Sequence, residues 1–210
     1  MKEFKCSVCE RGIVEVIDER LTCTCKACGK VYIPPFLITK DGYGYSNAFG
    51  FFFDCLSHYN GFEKKLVLPT ITDDGHKILK VGSSAFKNAP EIETVILPDG
   101  YKEIGNKAFS NCKKLQKIEL PDSISEISHQ AFSNCSSLEE IIIPANVTNI
   151  DSCVFQGCTN LKKIVFENPD GWVYRGVGWF GKPKKVKLND PVKNVKLFVD
   201  KADKMFIERR

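Results

Sequence analysis

Residues 104–121 read IGNKAFSNCKKLQKIELP, and the same arrangement of residue types returns at a constant distance before and after this stretch. The phenylalanines of the pattern are 23 residues apart, at Phe86, Phe109, Phe132 and Phe155. The prolines keep the same step, at Pro98, Pro121 and Pro144. A constant period of this length is typical of a solenoid, in which each unit stacks on the next. The sequence therefore predicts four coils, at residues 81–103, 104–126, 127–149 and 150–172.

Within one coil, the pattern indicates a short strand followed by a break. Ile118 and Leu120 alternate with the charged Lys117 and Glu119, as expected for a strand with one buried face. Pro121 then ends the strand because proline has no N–H to donate. A single coil cannot bury its own apolar face, so successive coils are expected to stack at about 4.8 Å per strand.

Two further columns of the repeat have simple structural interpretations. One column consists of small residues that are expected to point inward: Ala89, Cys112, Cys135 and Cys158. The other consists of residues that favour turns: Asn88, Asn111, Asn134 and Gly157. We therefore assign both columns to the architecture of the coil rather than to chemistry.

The repeats resemble the BspA-like subclass of bacterial leucine-rich repeats over about residues 62–172. The matching positions are Ile104-Gly105 with Ala108-Phe109, Asn111-Cys112 with Leu115, and Ile118 with Leu120-Pro121. The resemblance implies a β-rich, right-handed leucine-rich repeat solenoid. It also implies a class of function, since such repeats are associated with protein binding and cell-surface adhesion.

The two ends of the array depart from the pattern, as the covering of an open solenoid requires. Residues 36–80 contain a degenerate repeat and are expected to form the N-terminal cap, whereas residues 81–172 hold the four regular repeats. Residues 173–210 are expected to form a C-terminal cap. It would contain a short helix over residues 190–200, with Pro191 at its first position.

Residues 1–35 contain a separate motif, two C-x2-C pairs formed by Cys6 with Cys9 and by Cys25 with Cys28. Fifteen residues separate the pairs, a spacing typical of a small all-β zinc ribbon in which four thiolates hold Zn²⁺ tetrahedrally. Such a site is structural because no coordination position is left open. Cys23 could compete as a ligand, and the alternative is a set of reduced thiols without metal.

The strands of this ribbon are expected between the cysteine pairs. Residues 13–17 and 21–24 flank the polar Asp18-Glu19-Arg20 and predict a hairpin, with a third strand over residues 31–33. A domain of about 35 residues buries too little apolar surface to fold alone, so metal binding would supply much of its stability.

The composition is that of an ordinary globular protein, with 210 residues, 43% hydrophobic residues and a formal charge of +4. The N-terminus lacks the apolar run of a signal peptide, and no stretch is long and apolar enough to span a membrane. We therefore expect a cytoplasmic protein that does not enter the membrane, in which the cysteines remain reduced.

Catalysis finds little support in the sequence. The three histidines, His58, His76 and His129, are isolated, and neither a nucleophile elbow nor a phosphate-binding glycine loop is present. We expect a protein that is not an enzyme, and no small-molecule substrate is implied.

The outward strand positions offer a candidate binding surface. One column, which we call the candidate binding column, consists of Val67, Ile96, Glu119, Ile142 and Val165. It is largely apolar where a solvated strand is usually polar, which favours binding of an unidentified protein partner on the concave sheet. The alternative is that these β-branched residues serve strand formation alone.

A second functional hypothesis is nucleic-acid binding through the ribbon and the basic C-terminal segment. From residue 161 onward the chain has thirteen Lys or Arg residues against six Asp or Glu, with the densest run at residues 182–187. The nearby aromatic residues are Trp172, Tyr174, Trp179 and Phe180. They could stack on bases, or they could cover the last coil.

Overall fold

The structure is a computed structural model of the chain. It describes residues 2–5, 13–16, 23–24, 31–32, 43–46, 54–72, 75–175, 183–200 and 206–210. The strands before the array are β1 Lys2–Lys5, β2 Ile13–Val16, β3 Cys23–Thr24, β4 Val31–Tyr32 and β5 Tyr43–Ser46.

The strands of the array alternate between two sheets. They are β6 Cys55–Tyr59, β7 Lys65–Val67, β8 Lys80–Val81, β9 Thr94–Ile96, β10 Glu103–Ile104, β11 Lys117–Glu119, β12 Glu126–Ile127, β13 Glu140–Ile143, β14 Asn149–Ile150 and β15 Lys163–Phe166. The C-terminal elements are β16 Trp172–Arg175, β17 Lys184–Lys185, helix α1 Pro191–Val195, a π-helical turn Lys196–Asp200, and β18 Phe206–Arg209.

Each coil contributes one strand to each sheet, and neighbouring coils pair in parallel. On one side, β7, β9 and β11 pair in register, and β13 pairs with β15. On the other side, β6, β8, β10, β12 and β14 form the centre of a nine-stranded sheet. Five strands on the first side make this a β-solenoid of about five turns, which confirms the solenoid class that the repeat predicted.

A stack of aromatic rings runs through the core between the sheets. Phe86, Phe109, Phe132 and Phe155 are almost completely buried, and successive ring centroids lie 4.8, 5.6 and 5.7 Å apart. The rings are nearly parallel because every coil places the same side chain at the same height. Ile, Leu, Val and Ala side chains of the same coils fill the space around the stack.

The turns of the coil confirm the interpretation of the asparagine column. Asn88, Asn111 and Asn134 have φ values of 63°, 61° and 58°, and Gly157 takes the equivalent place at 75°. Asparagine tolerates this left-handed conformation better than most residues because its short amide can bond locally. The Asn111 Nδ2 donates to the Asn88 Oδ1 of the preceding coil at 3.0 Å.

The C-terminal segment covers the last coil and joins the nine-stranded sheet. The helix begins as predicted, with Asp190 as N-cap and Pro191 at its first position, but α-helical bonding ends at Val195. β18 pairs antiparallel with β14 and continues the sheet. On the opposite side of the array, the Asn194 amide donates to the carbonyls of Ile164 in β15 and Leu188, at 2.8 and 3.0 Å.

The first four strands form two antiparallel pairs, in which β1 pairs with β2 and β3 pairs with β4. The turn of the predicted hairpin, residues 18–20, lies outside the described residues, so that hairpin stays a prediction. The sequence signal for β1 is weak because Lys-Glu-Phe-Lys contains a single apolar residue, so no alternation is visible there. Among the described residues, no helix has the length and apolar character needed to cross a membrane.

Candidate functional site

The candidate binding column lies on the outer face of two adjacent sheets, formed by β7, β9 and β11 and by β13 and β15, which together we call the outer strand face. Val67, Ile96 and Glu119 stand opposite one another in the parallel ladder, and Ile142 stands opposite Val165. Val67 is 58% exposed and Ile142 49% exposed, whereas Ile96 and Val165 are half-buried. The column therefore presents well-exposed apolar side chains to solvent at its first and fourth positions.

Charged side chains surround this column and pair with one another. The Lys117 Nζ lies 2.7 Å from the Glu119 Oε1, and Lys162 and Lys163 approach Glu139 and Glu140 at 2.9 and 3.7 Å. The hydrogen bond and charge of Lys117 hold the pKa of the Glu119 carboxyl below its usual value. Glu119 is therefore ionised at neutral pH, in the middle of an otherwise apolar column.

A groove of about 740 Å³ opens on the same face where β11 and β13 meet. Glu119 and Ile142 of the candidate binding column both line it, together with Lys117, Glu139, Glu140 and Glu167. The groove thus combines the apolar side chains of Ile118, Leu120 and Ile142 with four carboxylates and one ammonium group.

The predicted zinc ligands Cys6, Cys9, Cys25 and Cys28 lie outside the described residues. Within the described part of the chain, no group of three or more His, Cys, Asp or Glu side chains is arranged to hold a metal ion. The ribbon and its zinc stay predictions.

The cysteine column of the repeat is buried, as its position predicted. Cys112, Cys135 and Cys158 each donate a thiol hydrogen bond to the carbonyl of a phenylalanine in the preceding coil, at 3.0–3.1 Å. Burial raises the pKa of the Cys112 thiol to about 12. A thiol with such a pKa is almost entirely protonated at neutral pH, so Cys112 is structural rather than nucleophilic.

One serine and histidine pair lies close together but is not built for catalysis. The His129 Nδ1 is 2.9 Å from the Ser152 Oγ, and the Asp151 carboxylate accepts hydrogen bonds from the Ser152 N–H and hydroxyl. In a nucleophilic triad the carboxylate orients the imidazole instead. His58 lies in β6. Burial lowers the pKa of its imidazole, and its Nε2 lies 2.6 Å from the Asn60 Oδ1.

The aromatic residues of the C-terminal segment are only partly described. Trp172 is 2% exposed, its indole N–H donates to the Asn168 carbonyl at 2.9 Å, and its ring packs edge-on against Phe166. Trp172 is therefore unavailable for stacking on a base while the cap is folded. Lys184, Lys185 and Lys187 are exposed, whereas Trp179, Phe180 and Lys182 lie outside the described residues.

Stacked coils that pair through parallel strands on two sides define a β-solenoid. Residues 79–177 match the family model for the BspA type leucine rich repeat region, in six copies. This match supports the resemblance drawn from the repeat itself over that part of the chain. No curated protein shows a significant match.

Several solved structures share the fold. A leucine-rich repeat protein from T. pallidum (TpLRR) is 32% identical, with a TM-score of 0.52, over 60% of this chain and 61% of that protein. A leucine-rich repeat protein from Bacteroides capillosus ATCC 29799 is 23% identical, with a TM-score of 0.53, over 62% and 97%. The pneumococcal vaccine antigen PcpA is 25% identical, with a TM-score of 0.52, over 63% and 32%. The chain thus spans about three fifths of the T. pallidum protein and one third of PcpA.

Proposed function

We propose that this protein is a non-catalytic scaffold that binds another protein on its outer strand face, through the candidate binding column. Leucine-rich repeat proteins are typically protein-binding scaffolds. The observation that carries the proposal for this chain is the exposure of Val67 and Ile142 in a column that continues through the half-buried Ile96 and Val165. Apolar side chains that are aligned and exposed gain free energy when a partner covers them.

The proposal predicts that a lysine in this column blocks partner binding. We expect Val67→Lys and Ile142→Lys each to weaken binding about tenfold or more, because the charge would be desolvated against an apolar partner surface. The partner would first be captured from a lysate of the source organism and identified by mass spectrometry. Its affinity for each variant would then be measured by calorimetry with purified proteins.

Val192→Lys is the matched control for this experiment. Val192 is 59% exposed, close to the 58% of Val67, but it lies on helix α1 and does not belong to the column. Binding should survive in the control. Equal binding by Val67→Lys, Ile142→Lys and Val192→Lys, with the fold intact by circular dichroism, would exclude the outer strand face.

We further propose that Cys6, Cys9, Cys25 and Cys28 hold a structural zinc ion. Each C-x2-C pair falls in the segment that joins two antiparallel strands: residues 6–12 connect β1 to β2, and residues 25–30 connect β3 to β4. The first cysteine of each pair directly follows a strand, and β2 lies beside β3. Two equivalent cysteine-bearing connections fit a tetrahedral thiolate site, in which the bound metal would hold the strand pairs together.

Metal analysis tests this second proposal. Protein purified from zinc-supplemented medium should carry about one zinc per chain, and Cys25→Ser should lose most of it because one of four ligands is missing. Cys23→Ser serves as the control, since Cys23 is the neighbouring cysteine outside the proposed ligand set and should leave the zinc content unchanged. Zinc far below one equivalent in the wild-type protein, or full retention in Cys25→Ser, would refute the site.

A further inference from the structure

The hydrogen-bonded ladder of the outer strand face is interrupted between β11 and β13. On either side of this junction, the Gln116 N–H donates to the Glu93 carbonyl at 2.9 Å, and the Lys162 N–H donates to the Glu139 carbonyl at 2.8 Å. Between them, in a fully described part of the chain, no corresponding bond joins Glu139 to Gln116 and the strands do not pair. The interruption lies at the groove described above.

The opposite sheet is continuous through the same coils. The Ser128 N–H donates to the Ile104 carbonyl at 2.9 Å, and the Asp151 N–H donates to the Ile127 carbonyl at 2.9 Å. The coils are therefore joined normally on the nine-stranded side and separated only on the outer strand face. At the facing edges of β11 and β13, main-chain N–H and C=O groups lack the strand-to-strand hydrogen bonds found at the other three junctions of the outer strand face.

The charge of the groove is unbalanced toward acid. Glu119, Glu139, Glu140 and Glu167 line it, against Lys117 alone. Glu139 and Glu140 have lysine neighbours outside the groove, and Glu167 accepts a hydrogen bond from the Ala145 N–H at 3.1 Å. Ion pairs on an exposed surface are worth little, so a cation that enters the groove can replace them at small cost. The carboxylates favour a basic occupant although the chain as a whole carries a charge of +4.

The spacing of the lining side chains favours an extended occupant. Lys117 and Glu119 are alternate residues of β11, and Glu140 and Ile142 are alternate residues of β13. Alternate side chains of a strand stand about 6.6 Å apart, which is also the spacing of same-face side chains in an extended peptide. An extended segment aligned with these strands thus meets a carboxylate and an apolar side chain at matching intervals, beside unpaired strand edges.

We infer that this groove binds an extended segment of a partner protein in which basic and apolar side chains alternate along one face, at every second residue. The basic groups of the segment contact Glu119 and Glu140, and an apolar side chain packs on Ile142. This inference rests on the proposed protein-binding function and specifies the chemistry of the segment that is bound.

A pair of labelled peptides provides the probe. A fluorescein-labelled octapeptide Arg-Ser-Val-Ser-Arg-Ser-Val-Ser, whose same-face residues are arginine and valine in turn, should bind the full-length protein, as measured by fluorescence anisotropy. The equivalent peptide with glutamate in place of arginine should not bind. Glu119→Gln combined with Glu140→Gln should raise the Kd of the arginine peptide about tenfold, because two charge-assisted hydrogen bonds are lost.

Glu103→Gln combined with Glu126→Gln is the matched control. It makes the same change of charge on the nine-stranded sheet, where Glu103 and Glu126 stand opposite each other, and it should leave the Kd within about twofold. Equal binding of both peptides, or equal loss in both double variants, would overturn the groove assignment. If a partner were lost in Val67→Lys but retained in the Glu119 and Glu140 double variant, the scaffold function would stand and only the groove assignment would fall.

Discussion

Replacing Phe132 with alanine is expected to lower the free energy of unfolding by about 3–5 kcal/mol, as large-to-small changes of aromatic core residues do. Phe132 is fully buried, and its ring stacks between Phe109 at 5.6 Å and Phe155 at 5.7 Å. Parallel strands hold the coils on either side, so the neighbouring rings cannot collapse into the space left by the missing ring. Urea unfolding followed by circular dichroism would measure the loss.

A milder substitution separates the contribution of the cavity from that of the aromatic ring. Phe132→Leu keeps most of the buried volume and should cost less than the alanine variant. A cost below about 1 kcal/mol for Phe132→Ala would show that the ring stack does not support the array. In a solenoid each coil contacts only its neighbours, so unfolding of Phe132→Ala should also become less cooperative. Tryptophan fluorescence and circular dichroism would then give different midpoints.

Replacing Asn194 with alanine should cost about 1–3 kcal/mol or more, because two buried carbonyls lose their hydrogen-bond donor. Asn194 is 1% exposed, and its amide bonds to both Ile164 and Leu188. β15 pairs with β13 along one edge only, and the Asn194 amide bonds to β15 where the array has no further coil. Calorimetric unfolding would measure the change.

Asn189→Ala is the control for this prediction. Asn189 is exposed and lies in the same segment, so its loss should change the unfolding free energy by no more than about 0.5 kcal/mol. Equal effects of the two substitutions would mean that the cap does not depend on the Asn194 amide. The same experiment could detect association between chains, since an uncovered strand edge is a template for pairing.

The solenoid was predictable from the sequence because the residues that define each coil recur every 23 positions. The phenylalanine, cysteine and asparagine columns repeat at one step, and the structure places them in the ring stack, in the buried thiol column and in left-handed turns. The candidate binding column followed from the same register, since alternate strand residues share a face. Its role in binding stays a prediction.

Features that depend on one position or on distant residues could not be predicted in this way. Lys117 to Glu119 and Glu140 to Ile143 both have the residue pattern of a paired strand, so nothing in either stretch predicts the interruption between them. Asn194 is one asparagine in a short helix, and its role depends on a carbonyl that lies 30 residues earlier. The pairing of β1 with β2 was missed because β1 shows no alternation of apolar residues.

The ring stack also bears on how arrays of this kind can change in length. The coils at residues 104–126 and 127–149 each offer the next one a phenylalanine ring, a thiol and a paired strand edge on the nine-stranded side. A duplication of one complete 23-residue unit, for example residues 104–126, would insert a coil whose two sides already match its new neighbours. Both caps would keep their contacts unchanged, and the outer strand face would grow by one strand. Gene duplication can therefore enlarge such a surface while each coil keeps the same packing against its neighbours.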